Sequence, residues 1–217
     1  MADSNSLKVY PYSEEEYSPS VNRLKNECGD RSYPIWLLVN PKYPADRQDI
    51  WAPILDEIQD KVYRKLRKRI DTRNIFIKNA VSDIGIVPKT ANCRAIEAAK
   101  EIVMLRESVL EHQPKILISF GTIAYEFVKR VFDARPEKGP SNWNTTNLGD
   151  EFERSIANFD INQTNSIPLP RRVVKRDKSN QDRNDWNRQD RETYLRDVGS
   201  KIADRIIENK DSLEIWI

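Results

Sequence analysis

The chain has 217 residues, enough for one domain with a single sizeable core, and its net charge of +2 neither requires nor excludes a nucleic-acid partner. One histidine and two distant cysteines, Cys28 and Cys93, argue against a histidine-based triad, a zinc site and a disulfide framework. The sequence has no apolar run long enough to cross a bilayer and no recognisable signal segment, so we expect a cytoplasmic protein without membrane contact.

After a polar, irregular arm at residues 1–32, the hydrophobic pattern predicts strands that alternate with helices. Strands are predicted at 34–39, 74–81 and 115–121. Helices are predicted at 49–69, 94–112 and 122–132. Such alternation is typical of a parallel sheet with right-handed crossovers. We therefore predict an α/β fold with three layers, α/β/α, around a central, mainly parallel four-stranded sheet.

The second half of the chain has a less regular pattern. Residues 135–163 are rich in Gly, Pro, Asn and Asp, which predicts a partly irregular insertion in the single domain at 33–217. A fourth strand, a final helix and an apolar tail that could add a further strand are predicted at 165–170, 194–207 and 213–217. Trp143, inside the insertion, either contacts a bound base or pins the insertion to the core.

Ligands of open parallel sheets bind beside the carboxyl ends of the strands. In this sequence, the segments at those ends are residues 40–43, 79–83, 121 and 168–172. We therefore expect the functional site at this edge of the sheet.

Two of these strand ends resemble motifs of the uracil-DNA glycosylase superfamily. Residues 37–41, Leu-Leu-Val-Asn-Pro, look like the Asn-Pro motif of its mismatch-specific and thymine-specific branches. Residues 76–81, Phe-Ile-Lys-Asn-Ala-Val, are similar to its next strand end, and residues 94–121 resemble its following helix, proline, strand and glycine. The resemblance covers about residues 34–207. It departs at the final His-Pro-Ser motif, where Leu-Pro-Arg stands at 169–171.

The resemblance implies a role for each matching residue. Asn40 would hold and orient the attacking water, because a neutral amide is no strong base. Asn79 would bind the polar edge of a flipped base, and Tyr43 or Trp51 would stack against that base. The structural alternatives are a strand-end cap for either asparagine and an ordinary core position for Trp51.

Basic residues near the same edge suit the phosphates of a DNA duplex. They are Lys42, Arg171, Arg172, Lys175 and Arg176. An arginine in place of the family's histidine could clamp a phosphate or stabilise the base anion. The alternative is a solvated charged loop, as for most charge runs.

Together, the resemblance implies a monomeric, monofunctional DNA glycosylase without metal or cofactor. It would flip a modified or mismatched base and hydrolyse its N-glycosidic bond, leaving an abasic site. Some superfamily members act on phage DNA with modified bases, so repair and antiviral defence both stay open. One alternative is an inactive glycosylase fold that binds nucleic acid or a nucleotide, which the missing histidine favours. The other is a base-exchange transferase, although no glutamate directly follows these strands.

Overall fold

The computed structural model of the chain describes residues 27–39, 51–80, 95–132, 143, 145–170 and 185–217. Within them, a sheet is covered by helices on both faces. The strands are β1 Glu27–Cys28, β2 Ile35–Val39, β3 Phe76–Asn79, β4 Ile116–Phe120 and β5 Asn165–Leu169. The helices are α1 Ala52–Leu66, α2 Ala95–His112, α3 Thr122–Phe132, α4 Thr145–Ala157 and α5 Asp185–Glu208. None of these helices is long and apolar enough to span a membrane.

The strand order is β1-β3-β2-β4-β5, and the last four strands of that order run parallel to one another. This confirms the predicted α/β class and the mainly parallel sheet, but the sheet has five strands instead of four. The additional strand is β1, which pairs antiparallel with β3 through Glu27 and Cys28. These residues were predicted to belong to the irregular arm, because a two-residue strand has no hydrophobic period to read.

The core has two parts because both faces of the sheet are covered. All five residues of β2 are buried, as expected for a continuous apolar strand in a parallel sheet. Ile35, Leu37 and Val39 face a cluster that includes side chains of α1 and α5. Trp36 and Leu38 face the opposite cluster, which includes side chains of α2 and α3. These contacts make the three layers.

The structure differs from the predicted elements in the second half of the chain. Within the predicted, partly irregular insertion at 135–163, residues 145–157 form α4, a helix that was not predicted. Leu148, Phe152 and Ile156 are buried at helical spacing in this helix, so a periodic signal was present in the sequence. Helix α5 begins at Asp185, nine residues before its predicted start at 194. In the tail, one isolated bridge joins Trp216 to Ile70.

Candidate functional site

The carboxyl ends of the four parallel strands lie along one edge of the sheet, as the α/β prediction requires. Val39 at the end of β2 is in register with Asn79 at the end of β3. On the other side, Phe120 of β4 is in register with Leu169 of β5. The backbone N–H of Ala80 donates to the Val39 carbonyl at 2.9 Å, which ties β3 to β2 beyond the last paired residues. Backbone pairing therefore joins neighbouring strands up to this edge.

Asn79 is a predicted site residue that lies within the described part of the chain, at the end of β3. Its side chain is only 2% exposed, and it shares the sheet face of Val39 because in-register residues of parallel strands point to the same side. An amide offers one acceptor and two donors. In this water-poor environment, hydrogen bonds made by such a group are stronger than they are in bulk water.

Trp51 lies immediately before α1, at the same edge of the sheet. Its carbonyl accepts hydrogen bonds from the backbone N–H groups of Ile54 and Leu55 at 3.1 and 3.2 Å, which starts the helix. Its side chain is 9% exposed and packs in the same core cluster as Val39. The structure thus brings Trp51 and Asn79 to one edge and one face. A ring this buried offers little surface to a flipped base, so Trp51 fits the core alternative better than the stacking role.

The remaining predicted site residues lie outside the described part of the chain. They are Asn40, Lys42, Tyr43, Arg171, Arg172, Lys175 and Arg176. Two of them directly follow described residues in the sequence: Asn40 follows Val39, and Arg171 follows Pro170. Their roles stay predictions.

The end of β4 adds two features to this edge. Gly121 has a φ of 90°, a conformation that glycine adopts easily, and it lets α3 begin at Thr122 directly after the strand. The N-terminus of α3 therefore points its partial positive charge toward this edge, which favours anions. Ser119 of β4 is fully buried, and its hydroxyl has no hydrogen-bond partner within the described residues. Ser119 was not among the predicted site residues, although it is the one polar residue in the apolar strand β4.

Trp143 pins its segment to the core, which was one of the two roles predicted for it. Its indole Nε1 donates to Oε2 of Glu126 at 2.6 Å, and its ring meets the Tyr125 ring edge-on with centroids 4.8 Å apart. Glu126 is only 3% exposed and also accepts a hydrogen bond from Arg130 Nε at 2.7 Å. Both carboxylate oxygens of this buried glutamate are therefore bonded, as burial of a charge demands.

A second carboxylate meets the same region from α4. The Tyr125 hydroxyl donates to Oε2 of Glu151 at 3.0 Å, and Arg154 pairs with the other oxygen of Glu151. Burial, and then the charge of Glu151, raise the pKa of Tyr125 far above its usual value. The hydroxyl therefore stays protonated and acts as a donor that joins α3 to α4.

A comparison of the chain with protein-family models found no match, and a comparison with curated proteins found no significant match.

Proposed function

We propose that this protein is a DNA glycosylase that hydrolyses the N-glycosidic bond of a flipped, modified or mismatched base. One observation carries the proposal. The two strand ends that resemble glycosylase motifs are 40 positions apart in sequence, yet they belong to neighbouring strands whose ends are in register, Val39 beside Asn79. Asn40 directly follows Val39. Neighbouring asparagine motifs of this kind suit one site that handles both the attacking water and the base.

The proposed chemistry divides the work between positioning and charge stabilisation. Cleavage leaves positive charge on the sugar and negative charge on the departing base. Asn40 orients the water through its amide oxygen and takes no proton, so it contributes by positioning. The buried amide of Asn79 binds the polar edge of the base, and Tyr43 stacks against it. Arg171, in the segment where the family has its His-Pro-Ser motif, stabilises the base anion or clamps a phosphate.

Phosphate contacts by the basic residues of the same edge would hold the duplex. They are Lys42, Arg172, Lys175 and Arg176. We propose a cytoplasmic monomer that acts on DNA without metal or cofactor, in repair or in defence against phage DNA. A second candidate is a glycosylase fold that binds DNA without cutting it. The Leu-Pro-Arg at 169–171, where the family has His-Pro-Ser, favours that candidate.

The test is base excision followed by alkaline cleavage of abasic sites. Purified protein is incubated with duplexes that contain uracil, mismatched thymine or modified cytosine, and with phage DNA. We expect strand breaks on at least one substrate, and we expect Asn40→Ala to abolish them. The matched control is Asn162→Ala, which removes an exposed amide just before β5, at the opposite edge of the sheet. This variant should cut as the wild type does.

The other outcomes distinguish the alternatives. Binding without breaks on every substrate would favour the non-cutting protein, and turnover of free nucleotides without DNA cleavage would favour the transferase. Asn79→Asp, checked for folding by thermal denaturation, should alter the choice of base, since it exchanges two donors for a charged acceptor. An unchanged preference in a folded variant would refute the recognition role.

A further inference from the structure

The most concentrated positive charge in the described residues lies at the end of α1. Residues 61–73 contain seven basic side chains and one acidic side chain, whereas the entire chain has a net charge of only +2. Basic residues are expected at the end of any helix, so this segment was not among the predicted binding residues. We define the α1 basic strip as Lys61, Arg64, Lys65, Arg67, Lys68 and Arg69.

The strip lies away from the candidate site. Helix α1 connects two neighbouring parallel strands, β2 and β3, so it begins at the carboxyl edge of the sheet and ends at the amino edge. The backbone just after it pairs with the C-terminal tail: the N–H of Asp71 donates to the Ile215 carbonyl at 2.8 Å, and the N–H of Ile217 donates to the Arg69 carbonyl at 2.9 Å. A ligand on the strip would therefore occupy a second surface.

Two of the six cations are held by acidic partners. Lys61 Nζ lies 2.6 Å from Asp204 of α5, and Arg64 lies 2.8 Å from Asp60. The other four are exposed, and none of them forms an ion pair within the described residues: Lys65, Arg67, Lys68 and Arg69. Their charge is available to a ligand.

An open groove extends the strip toward α5. It has a volume of about 470 Å³ and is lined by Glu57, Lys61, Arg64, Lys65, Arg196 and Ser200. Four of these six residues are cationic, and Arg196 adds a charge from the second helix. Along α1, the span from Lys61 to Lys65 corresponds to about 6 Å at the helical rise per residue, and the remaining cations of the strip follow the helix end. The strip and the groove thus form one elongated basic surface.

The last turn of α1 contributes an aromatic group, and the residue after it has an unusual backbone conformation. Tyr63 is 39% exposed, with the guanidinium carbons of Arg69 and Arg67 at 5.0 and 5.8 Å from its ring centroid. Arg67 caps the helix with a φ of 57°, a left-handed conformation in which glycine is preferred. The arginine keeps a charged side chain at a position where its backbone is strained.

Charge compensation of the helix dipole explains only part of the strip. That effect is confined to the last turn, which already holds Arg64 and Lys65. Three further cations follow beyond the helix end at 67–69. An anionic membrane is a poorer fit than a nucleic acid, because the apolar face of α1 is packed into the core and cannot insert into lipid.

We propose that the α1 basic strip is a second DNA-binding surface, which contacts the phosphate backbone of a duplex without reading its sequence. Several solvent-exposed cations grouped at the end of α1 suit the closely spaced phosphates of a duplex. This surface would bind DNA whether or not the chain excises a base, so the two proposals stand or fall separately.

The test compares two variants that lose the same charge. Lys65→Gln/Lys68→Gln removes two cations of the strip, and the control Lys100→Gln/Lys129→Gln removes two cations from α2 and α3, on the other face of the sheet. Binding of an unmodified 20-base-pair duplex is measured by fluorescence anisotropy over a series of salt concentrations. Thermal denaturation verifies that both variants are folded.

The slope of log Kobs against log salt is negative. We expect its magnitude to be smaller by about 1.8 in the strip variant, since each lost phosphate contact removes about 0.9. With equal binding of both proteins at 1 M salt, this slope difference corresponds to roughly 60-fold weaker binding of the strip variant at 0.1 M salt. In the control variant, neither the slope nor the binding constant at 0.1 M salt should change by more than a small fraction. Equal losses in both variants would mean that only net charge matters, and an unchanged slope in the strip variant would overturn the proposal.

Lysine acetylation read by mass spectrometry gives a second measurement on the unaltered protein. The duplex should protect Lys65 and Lys68 from acetylation and leave Lys100 reactive. Asn40→Ala should show the same protection, which separates this surface from the proposed excision site. Protection by anionic phosphatidylserine vesicles but not by the duplex would assign the strip to membranes, and protection by neither would refute it as a binding surface for DNA.

Discussion

Trp143 and Glu126 offer a direct measure of how strongly the segment before α4 is held to the core. Trp143→Phe keeps an aromatic ring against Tyr125 but removes the N–H that bonds Oε2 of Glu126 at 2.6 Å. A hydrogen bond to a charged group contributes about 1.5–3 kcal/mol, and the smaller ring adds a packing loss. We therefore expect the free energy of unfolding to fall by about 2–3 kcal/mol, and the melting temperature by roughly 4–12 °C for a chain of this size.

The reciprocal change is Glu126→Leu, which leaves the buried indole N–H without its acceptor. We expect a loss of similar size, about 1–3 kcal/mol, since an unsatisfied buried donor loses its solvation without compensation. Arg130 is 41% exposed, so water can solvate its guanidinium in this variant. The double variant removes both partners. Its loss in the free energy of unfolding should be clearly smaller than the sum of the losses in the two single variants.

The assay is a double-mutant cycle from urea denaturation, with melting temperatures as a check. We expect a coupling free energy of at least about 1.5 kcal/mol between the two positions. The control is Trp143→Phe in an Arg154→Gln background, since Arg154 pairs with Glu151 instead of Glu126. If the losses at Trp143 and Glu126 simply add, the hydrogen bond does not hold the segment, and the reasoning fails.

Three further predictions concern the backbone and the buried tyrosines. Gly29→Ala should lower the free energy of unfolding by about 2–4 kcal/mol, because the φ of Gly29 is 88° and a Cβ would lie 2.0 Å from the Ile75 carbonyl oxygen. A loss below about 1 kcal/mol in urea denaturation would contradict this. Arg67→Gly should be more stable than Arg67→Ala by about 1 kcal/mol, since only the alanine variant keeps the left-handed strain, and equal melting curves would refute that account. Within the described residues, burial is the main cause of a raised pKa at Tyr33, Tyr125 and Tyr194. These tyrosines stay neutral in the folded state, whereas in the unfolded state they ionise near pH 10. The free energy of unfolding should therefore decline above about pH 10. Absorbance at 295 nm should show that these three tyrosines ionise only when the chain unfolds.

Much of the architecture could be predicted because its signals are local. Three strands and three helices in the first part of the chain appear as separate apolar runs and periodic stripes, and their alternation implies a parallel sheet. Helix α4 was missed although Leu148, Phe152 and Ile156 have helical spacing, because the surrounding Gly, Asn and Asp residues favoured a loop. Strand β1 could not be foreseen, since two residues acquire strand geometry only through their partners in β3.

The candidate site followed from sequence only in part. The topology rule predicted which strand ends share an edge, and the register of Val39 with Asn79 agrees with it. The roles of Trp51 and Trp143 depended on burial, which no local pattern specifies. Both are aromatic residues near polar segments, and both prove to pack in the core, Trp143 with its N–H bonded to a glutamate 17 positions earlier.

The sequence by itself determined the α/β class, the order of the main elements and the edge at which the parallel strands end, because hydrophobic periodicity and chain alternation are properties of short segments. Tertiary structure decided which neighbours each element acquires. It added a fifth strand, buried Asn79 beside Val39 and Trp51 in the core, and left four cations at the end of α1 without acidic partners in the part of the chain that the structure describes. These outcomes depend on contacts between residues far apart in the chain, whose energies no local segment contains.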